Sequence, residues 1–264
     1  MHALALMAEL VRPGLGCRHH LKIHFVAMRV AAVLFFVGLL STYTTAQQSR
    51  DGGCLRGTVQ ELRRSLVRGW EGYKGAPAGI VRPSNLKWEI PVAATTGVLI
   101  AAVDRPMPSA PLSPSTVKGT DTAANALLGA QVGLAILSYG VGCATNRDGL
   151  RDTAFSALAA MGYAVGNNLL LKAAFNREYP DKWNGHGQFW GGGKSFPSGH
   201  SAAAFGMASA IARRNPRHRW LTVAVFTSSF AVAVLRQPAR KHYASDILVG
   251  ATLGYVSGRW LAGR

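Results

Sequence analysis

Three short polar islands interrupt the apolar segments of this chain, and their residue types suit the handling of a phosphoryl group. Lys172, Arg177 and Pro180 form the first, Pro197-Ser198-Gly199-His200 the second, and Arg236, His242 and Asp246 the third. A phosphoryl group spreads negative charge over three equatorial oxygens, so metal-free transfer needs fixed cations, a nucleophile and a proton donor. Lys172, Arg177 and Arg236 supply the cations. One histidine can attack while the other protonates the leaving oxygen, and a carboxylate four residues after His242 is available beside them. Gly199 permits close backbone approach to an oxygen.

Groups from three islands can meet only if rigid elements carry them together. Six apolar segments run Trp88 to Val103, Ala123 to Ala144, Thr153 to Phe175, Ser201 to Ala212, Trp220 to Leu235 and Asp246 to Leu261. They are rich in Ala, Leu and Gly and lack β-branched alternation. Their 12 to 23 residues exceed normal strands, so the pattern predicts helices. Asp121-Thr122 and Arg151-Asp152-Thr153 are the expected N-caps of two of them. The fold class is therefore all-α, a six-helix bundle within residues 88–264. Residues 47–87 contain Gly, Arg and Pro without a sustained period, which predicts an exposed N-terminal arm lacking its own core.

The chain has 264 residues, 48% of them hydrophobic and 16% charged, enough to bury a core or to sit partly in a bilayer. Lys and Arg number 29 against 12 Asp and Glu, a net charge of +17 that suits an anionic partner. Phosphate esters and an anionic membrane surface fit this balance. Nucleic acid does not, because the basic residues fall in loops and no zinc-finger, basic-zipper or aromatic RNA-binding pattern occurs. Met28-Arg29, the apolar run Val30 to Leu40 and the small residues before Gln47 have the form of an export signal, with residues 1–46 as leader and Met28 a second possible start. Without the leader, 25 basic and 11 acidic residues remain, still +14. Cys17 falls in that leader. Cys54 and Cys143 lie in such different surroundings that both are read as free thiols.

Two readings of the bundle stay open. Ala123 to Ala144 and Thr153 to Leu171 are long and uncharged enough to cross a bilayer, which needs roughly 20 residues. Ser201 to Ala212 is short, and Trp88 to Val103 carries Glu89 and Pro91. If that first segment does not cross, all three polar islands face outside and the run Arg213 to Arg219 faces inside, in keeping with the positive-inside rule. The rival is a water-soluble periplasmic bundle of the same helices.

The three islands resemble the signature motifs of the type 2 phosphatidic acid phosphatase superfamily, which also holds bacterial nonspecific acid phosphatases and vanadium haloperoxidases. Lys172-x4-Arg177-x2-Pro180, Pro197-Ser198-Gly199-His200 and Arg236-x5-His242-x3-Asp246 carry the resemblance, and the six apolar segments fit the family's six-helix core. The resemblance implies a phosphate clamp of Lys172, Arg177 and Arg236 with the amides of Ser198 and Gly199. It implies His242 as nucleophile giving a phosphohistidine, Asp246 orienting its ring, His200 as acid and then base, and no metal or other cofactor. Two positions depart from the pattern: Tyr179 stands where the family usually has Arg, and Leu235 where it usually has Ser. Arg177 is the expected substitute for the missing cation.

The expected function is an exported phosphatase acting on a phosphate monoester or pyrophosphate, of a lipid in first place and a small phosphate ester in second. A soluble periplasmic acid phosphatase, a haloperoxidase holding vanadate at His242, and a membrane protein with a relic site are the alternatives. Other polar and aromatic residues have plainer readings. His186 and His218 are loop residues, Lys194 a solvated charge, and Trp183, Phe189 and Trp190 packing at a loop rim. Gly191-Gly192-Gly193 lacks the GK[ST] helix start of a phosphate loop and reads as a flexible linker.

Overall fold

A computed structural model describes residues 53–80, 83–104, 112–181 and 187–263. The expected leader, Cys17, Met28, Trp183 and His186 lie outside the described residues. The described residues are helical, with seven α-helices and no strand among them. They are α1 (Gly53–Ile80), α2 (Pro83–Val98), α3 (Pro114–Ala144), α4 (Asp148–Phe175), α5 (Gly199–Arg214), α6 (Arg219–Leu235) and α7 (Ala244–Leu261). A π-helical turn, Leu99–Asp104, extends α2. Each of the six apolar segments is thus a helix, and α1 is a seventh.

Two expected caps move. α3 begins at Pro114, with Ser113 as N-cap accepting from the Thr116 N–H at 3.2 Å, so Asp121 is a helix-interior residue free to reach the site. α4 begins at Asp148 rather than at Asp152, and Arg151 is buried within its first turns.

The core is built from small side chains. Ala157, Ala160 and Ala164 of α4 face Ala203, Met207 and Ala210 of α5, all nearly inaccessible. On α7 a Gly250-x3-Gly254-x3-Gly258 seam meets α5: a methyl group at Gly254 would lie 2.3 Å from the Ala202 carbonyl oxygen, and one at Gly258 2.3 Å from that of Gly206. Small residues let two helix backbones approach to this degree. The seam holds the start of α5 against the start of α7, and those two ends carry the second and third motifs.

Within residues 47–87, expected as an exposed arm lacking its own core, residues 53–80 form the helix α1, which packs on α4 and α7. Its Thr58 hydroxyl bonds Tyr139 at 2.6 Å, Glu61 pairs with Arg214 at 2.8 Å, and the Arg68 guanidinium donates to the Leu261 carbonyl at 2.6 Å. Gly57 makes room for the Arg151 guanidinium, which a methyl group there would meet at 2.3 Å. The cysteines are also corrected. Cys54 and Cys143 form a disulfide that ties the first turn of α1 to the last of α3, with Cα atoms 5.1 Å apart. Sequence surroundings did not reveal this because the partners are brought together by α1, an element that lacks an apolar run.

α2 with its π-turn, α3 and α4 are each long and apolar enough to cross a membrane, at 22, 31 and 28 residues. They leave large apolar side chains uncovered, such as Val98, Leu134 and Leu137, each above 60% exposed.

A bridge closing so long a loop restricts the unfolded chain strongly. Replacing both Cys54 and Cys143 by Ala should destabilise the protein on the order of 2–4 kcal/mol, read as a lowered unfolding midpoint that reductant no longer shifts further. An unchanged midpoint would mean that α1 is held by its polar contacts alone.

Candidate active site

The last turn of α4 and the chain after it set out the first motif. Asn176 ends α4 in the left-handed conformation (φ 41°), and its N–H caps the Lys172 carbonyl at 3.0 Å. That reversal separates the two cations of the motif. Lys172 stays on the helix, lines a cavity of about 310 Å³ and donates to the Lys194 carbonyl. Arg177 turns inward and is 1% exposed.

Arg177 does not line that cavity, contrary to its expected place in the phosphate clamp. Its guanidinium donates to Asp246 Oδ1 at 2.6 Å, Asp104 Oδ2 at 2.9 Å, the Ser245 hydroxyl at 2.7 Å and the Gly187 carbonyl at 3.1 Å. Tyr243 and Phe189 cover its faces, with ring centroids 4.1 and 4.8 Å from Cζ. Four of the five N–H donors of the fork are used within the protein, so Arg177 is committed to the core rather than to the cavity. Tyr179 lines the cavity instead, and burial raises its phenol pKa, so it faces the site as a neutral donor.

The second motif opens α5. Ser198 is the N-cap, fully buried, its side chain accepting from the Ser201 N–H and its own N–H donating to the Asp246 carbonyl at 2.9 Å. Ser198 therefore joins the second motif to the third rather than offering its amide to phosphate, a second correction. Gly199 and His200 line the cavity, and as first residues of α5 their N–H groups have no intrahelical acceptor. The three glycines before this turn are not a loose linker: Gly193 donates to the Asn176 carbonyl at 3.1 Å, and a methyl group on it would lie 2.3 Å from the Arg177 carbonyl oxygen.

The third motif closes the site. Arg236 caps α6 and reaches the cavity, paired with Asp121 Oδ1 at 2.6 Å. His242 is 4% exposed, and its Nδ1 lies 2.7 Å from the Ser195 carbonyl. A carbonyl can only accept, so Nδ1 carries the proton and Nε2 keeps its lone pair. Asp246 Oδ2 is 3.7 Å from that same Nδ1, too far for a hydrogen bond, and acts on the ring through its charge. Oδ2 is held by the Ser195 hydroxyl and by the Tyr243 N–H at 2.9 Å. Ser195 thus contacts both members of the pair.

Burial lowers the His242 pKa from its ordinary value, and the Asp246 carboxylate only partly offsets this. For Asp246 burial acts upward, but the His242 ring, the Arg177 guanidinium and the Ser195 hydroxyl outweigh it and hold the carboxyl below its usual range. His200 is lowered to about 4 by burial and then by Arg236 and His242. Its Nε2 lies 2.7 Å from Asn125 Oδ1 of α3.

The structure therefore brings together Lys172, Gly199, His200, Arg236 and His242 around one cavity, with Asp246 directly behind His242. It adds Lys241 and Asp181 to the wall, and Asp121 and Asn125 as partners of Arg236 and His200. Lys241 precedes His242 and could have been picked out as a fourth cation. Asp121 was visible only as a cap, and Asp104, directly after the apolar run Trp88 to Val103, carried no signal of its own. Among the described residues no three His, Cys, Asp or Glu side chains converge as a metal ion would need.

Residues 153–263 match the PAP2 superfamily. A relative named lipid A 1-phosphatase, from Porphyromonas gingivalis, is 37% identical over 65 residues, which cover 24% of this chain and 15% of that protein. No solved structure matches the chain.

Removing Arg177 would leave two buried carboxylates unpaired, whereas removing Lys172 would take away only a cavity cation. Arg177→Ala should lower stability by about 3–5 kcal/mol in denaturant unfolding. Lys172→Ala should keep the wild-type midpoint while lowering kcat/KM on the order of 10²-fold. The opposite pattern would return Arg177 to the clamp.

Proposed function

We propose that this chain is an exported, membrane-associated phosphatase that hydrolyses a phosphate monoester or pyrophosphate of a lipid through a phosphohistidine intermediate. The carrying observation is the tautomer of His242: with Nδ1–H engaged by the Ser195 carbonyl, the unprotonated Nε2 is the nitrogen available to a cavity that holds Lys172, Arg236, Lys241 and His200. The match of residues 153–263 to the PAP2 superfamily and the relative's name support a phosphorylated lipid as substrate. Three apolar helices support membrane association, and the Cys54–Cys143 bridge supports an oxidising compartment.

In the first half-reaction Nε2 of His242 attacks phosphorus and the bond to the leaving oxygen breaks. The ring becomes cationic, and the Asp246 carboxylate stabilises it. Lys172, Arg236 and Lys241 offset the charge on the equatorial oxygens, with Tyr179 and the amides of Gly199 and His200 as further donors. His200 delivers a proton to the leaving alkoxide. In the second half-reaction His200 removes a proton from water as it attacks, phosphate departs and His242 is regenerated.

The proposed nucleophile is tested by trapping. Rapid acid-free quench of turnover should yield an acid-labile, base-stable phosphoenzyme in the wild type and none in His242→Ala, which should be inactive on a panel of lipid phosphates. EDTA should leave activity intact and vanadate should inhibit it as a five-coordinate analogue. Turnover by His242→Ala, or EDTA loss restored by a divalent cation, would overturn the mechanism.

The depressed His200 pKa sets a pH dependence. Above about 4 the free enzyme holds His200 neutral, so the leaving-group proton must enter with the substrate as its monoanion. A phosphate monoester loses that proton near pKa ~6. Accordingly kcat/KM should be highest below about pH 6 and fall roughly tenfold per unit above it. A plateau extending to pH 8 would show that His200 is protonated by the enzyme itself.

A further inference from the structure

A second cavity, about 710 Å³, lies at the other end of α5, α6 and α7 from the catalytic one. The catalytic cavity takes Gly199 and His200 from the first turn of α5, while this one takes Arg213 from its last, roughly 20 Å further along at 1.5 Å per residue. Arg213, Arg219 and Arg259 converge on it, and no Asp or Glu lines it. None of these three arginines has an ion-pair partner among the described residues, whereas neighbouring Arg214 is held by Glu61 at 2.8 Å. Phe226 and Tyr255 supply aromatic wall, their rings 6.1 Å apart, and the Arg259 guanidinium sits over Tyr255 at 5.7 Å. Beside it Trp220 is 86% exposed and Val223 more than half exposed.

Three like charges around one cavity repel one another unless an anion enters, and guanidinium forks match phosphate oxygens in a bidentate way. A free anion would need no apolar rim. Trp220 and Val223 offer one, and an indole beside cationic side chains is the composition of a protein at the headgroup level of a bilayer. We propose that this cavity binds the phosphate-bearing headgroup of an anionic phospholipid, with the acyl chains leaving past Trp220 and Val223. The site is separate from catalysis: none of its residues belongs to the catalytic cavity, and its test does not depend on the proposed reaction.

The test follows thermal unfolding of the full chain in neutral detergent as phosphatidylglycerol is added, with phosphatidylcholine and inorganic phosphate as parallel arms. At about 100-fold excess over its Kd, phosphatidylglycerol should raise the midpoint by roughly 5–10 °C. The rise should persist in Arg217→Gln, outside the cavity, and vanish in the triple variant Arg213→Gln, Arg219→Gln, Arg259→Gln. If the triple variant does not fold, Arg259→Gln alone should raise the apparent Kd for phosphatidylglycerol by on the order of tenfold. An equal shift with phosphatidylcholine would reduce the site to apolar packing, and an equal shift with inorganic phosphate would make it a free-anion site. Either result overturns the proposal, as would a shift retained in the arginine variants or absent from the wild type.

Discussion

The Arg177 guanidinium, closed between two buried carboxylates, is the interaction on which the site depends. Asp104 comes from the turn after α2, Asp246 from the start of α7, and Arg177 from the strap after α4. The Asp246 carboxyl, held below its usual range, lies behind His242, where positive charge would develop if the ring were phosphorylated. The same carboxylate oxygens that receive Arg177 and Ser195 fix where Asp246 sits, and Ser195 then fixes the ring through its carbonyl. Asp104 lies outside the segment matched to the PAP2 superfamily, so the preceding helix contributes to the domain's charge balance.

A second constraint is distance between helices rather than charge. Ser198 donates to the Asp246 carbonyl only because α5 and α7 touch backbone to backbone at their starts, and an added methyl group at Gly250 would lie 2.4 Å from the Ser198 carbonyl oxygen. The seam Gly250, Gly254, Gly258 continues this contact along the whole interface. Larger side chains would bury more apolar area per residue, but they would part the two motifs by more than a hydrogen bond can span. The alanine-rich core is thus set by the positioning of the site.

The six apolar segments were legible as helices because runs of Ala and Leu of that length exceed strands, whereas the place of Ser198 as the N-cap of α5 had no reading in the sequence. That Lys172, His200, Arg236, His242 and Asp246 would lie together was legible by type and spacing. The disposition of Arg177 was not. Spacing along a strap does not say which way a side chain points after a left-handed residue, and it was Asn176 that sent Arg177 into the core and left Tyr179 on the cavity wall. α1 and its bridge were missed for a related reason. That helix is held by a disulfide, a salt bridge to Arg214 and a hydrogen bond to Tyr139, none of which leaves a periodic apolar trace.

The cations at the cavity are already spoken for within the protein, and this constrains what can bind there. Arg236 is paired with Asp121, Lys172 donates to the Lys194 carbonyl, and Lys241 lies 3.9 Å from Asp181. An incoming anion must therefore compete with one carbonyl and two carboxylates. A weakly charged ligand gains too little from that exchange, because each internal partner it displaces must be resolvated. A phosphate with two ionisable oxygens can accept from several of these donors at once, which offsets the cost of releasing Asp121. Asp121 is about one-third exposed, so it can move into water when released, whereas Asp104 and Asp246, both buried, cannot. The carboxylates of the site thus divide by burial into two, Asp121 and Asp181, that can yield to a bound anion and two, Asp104 and Asp246, that hold the surroundings of His242 fixed.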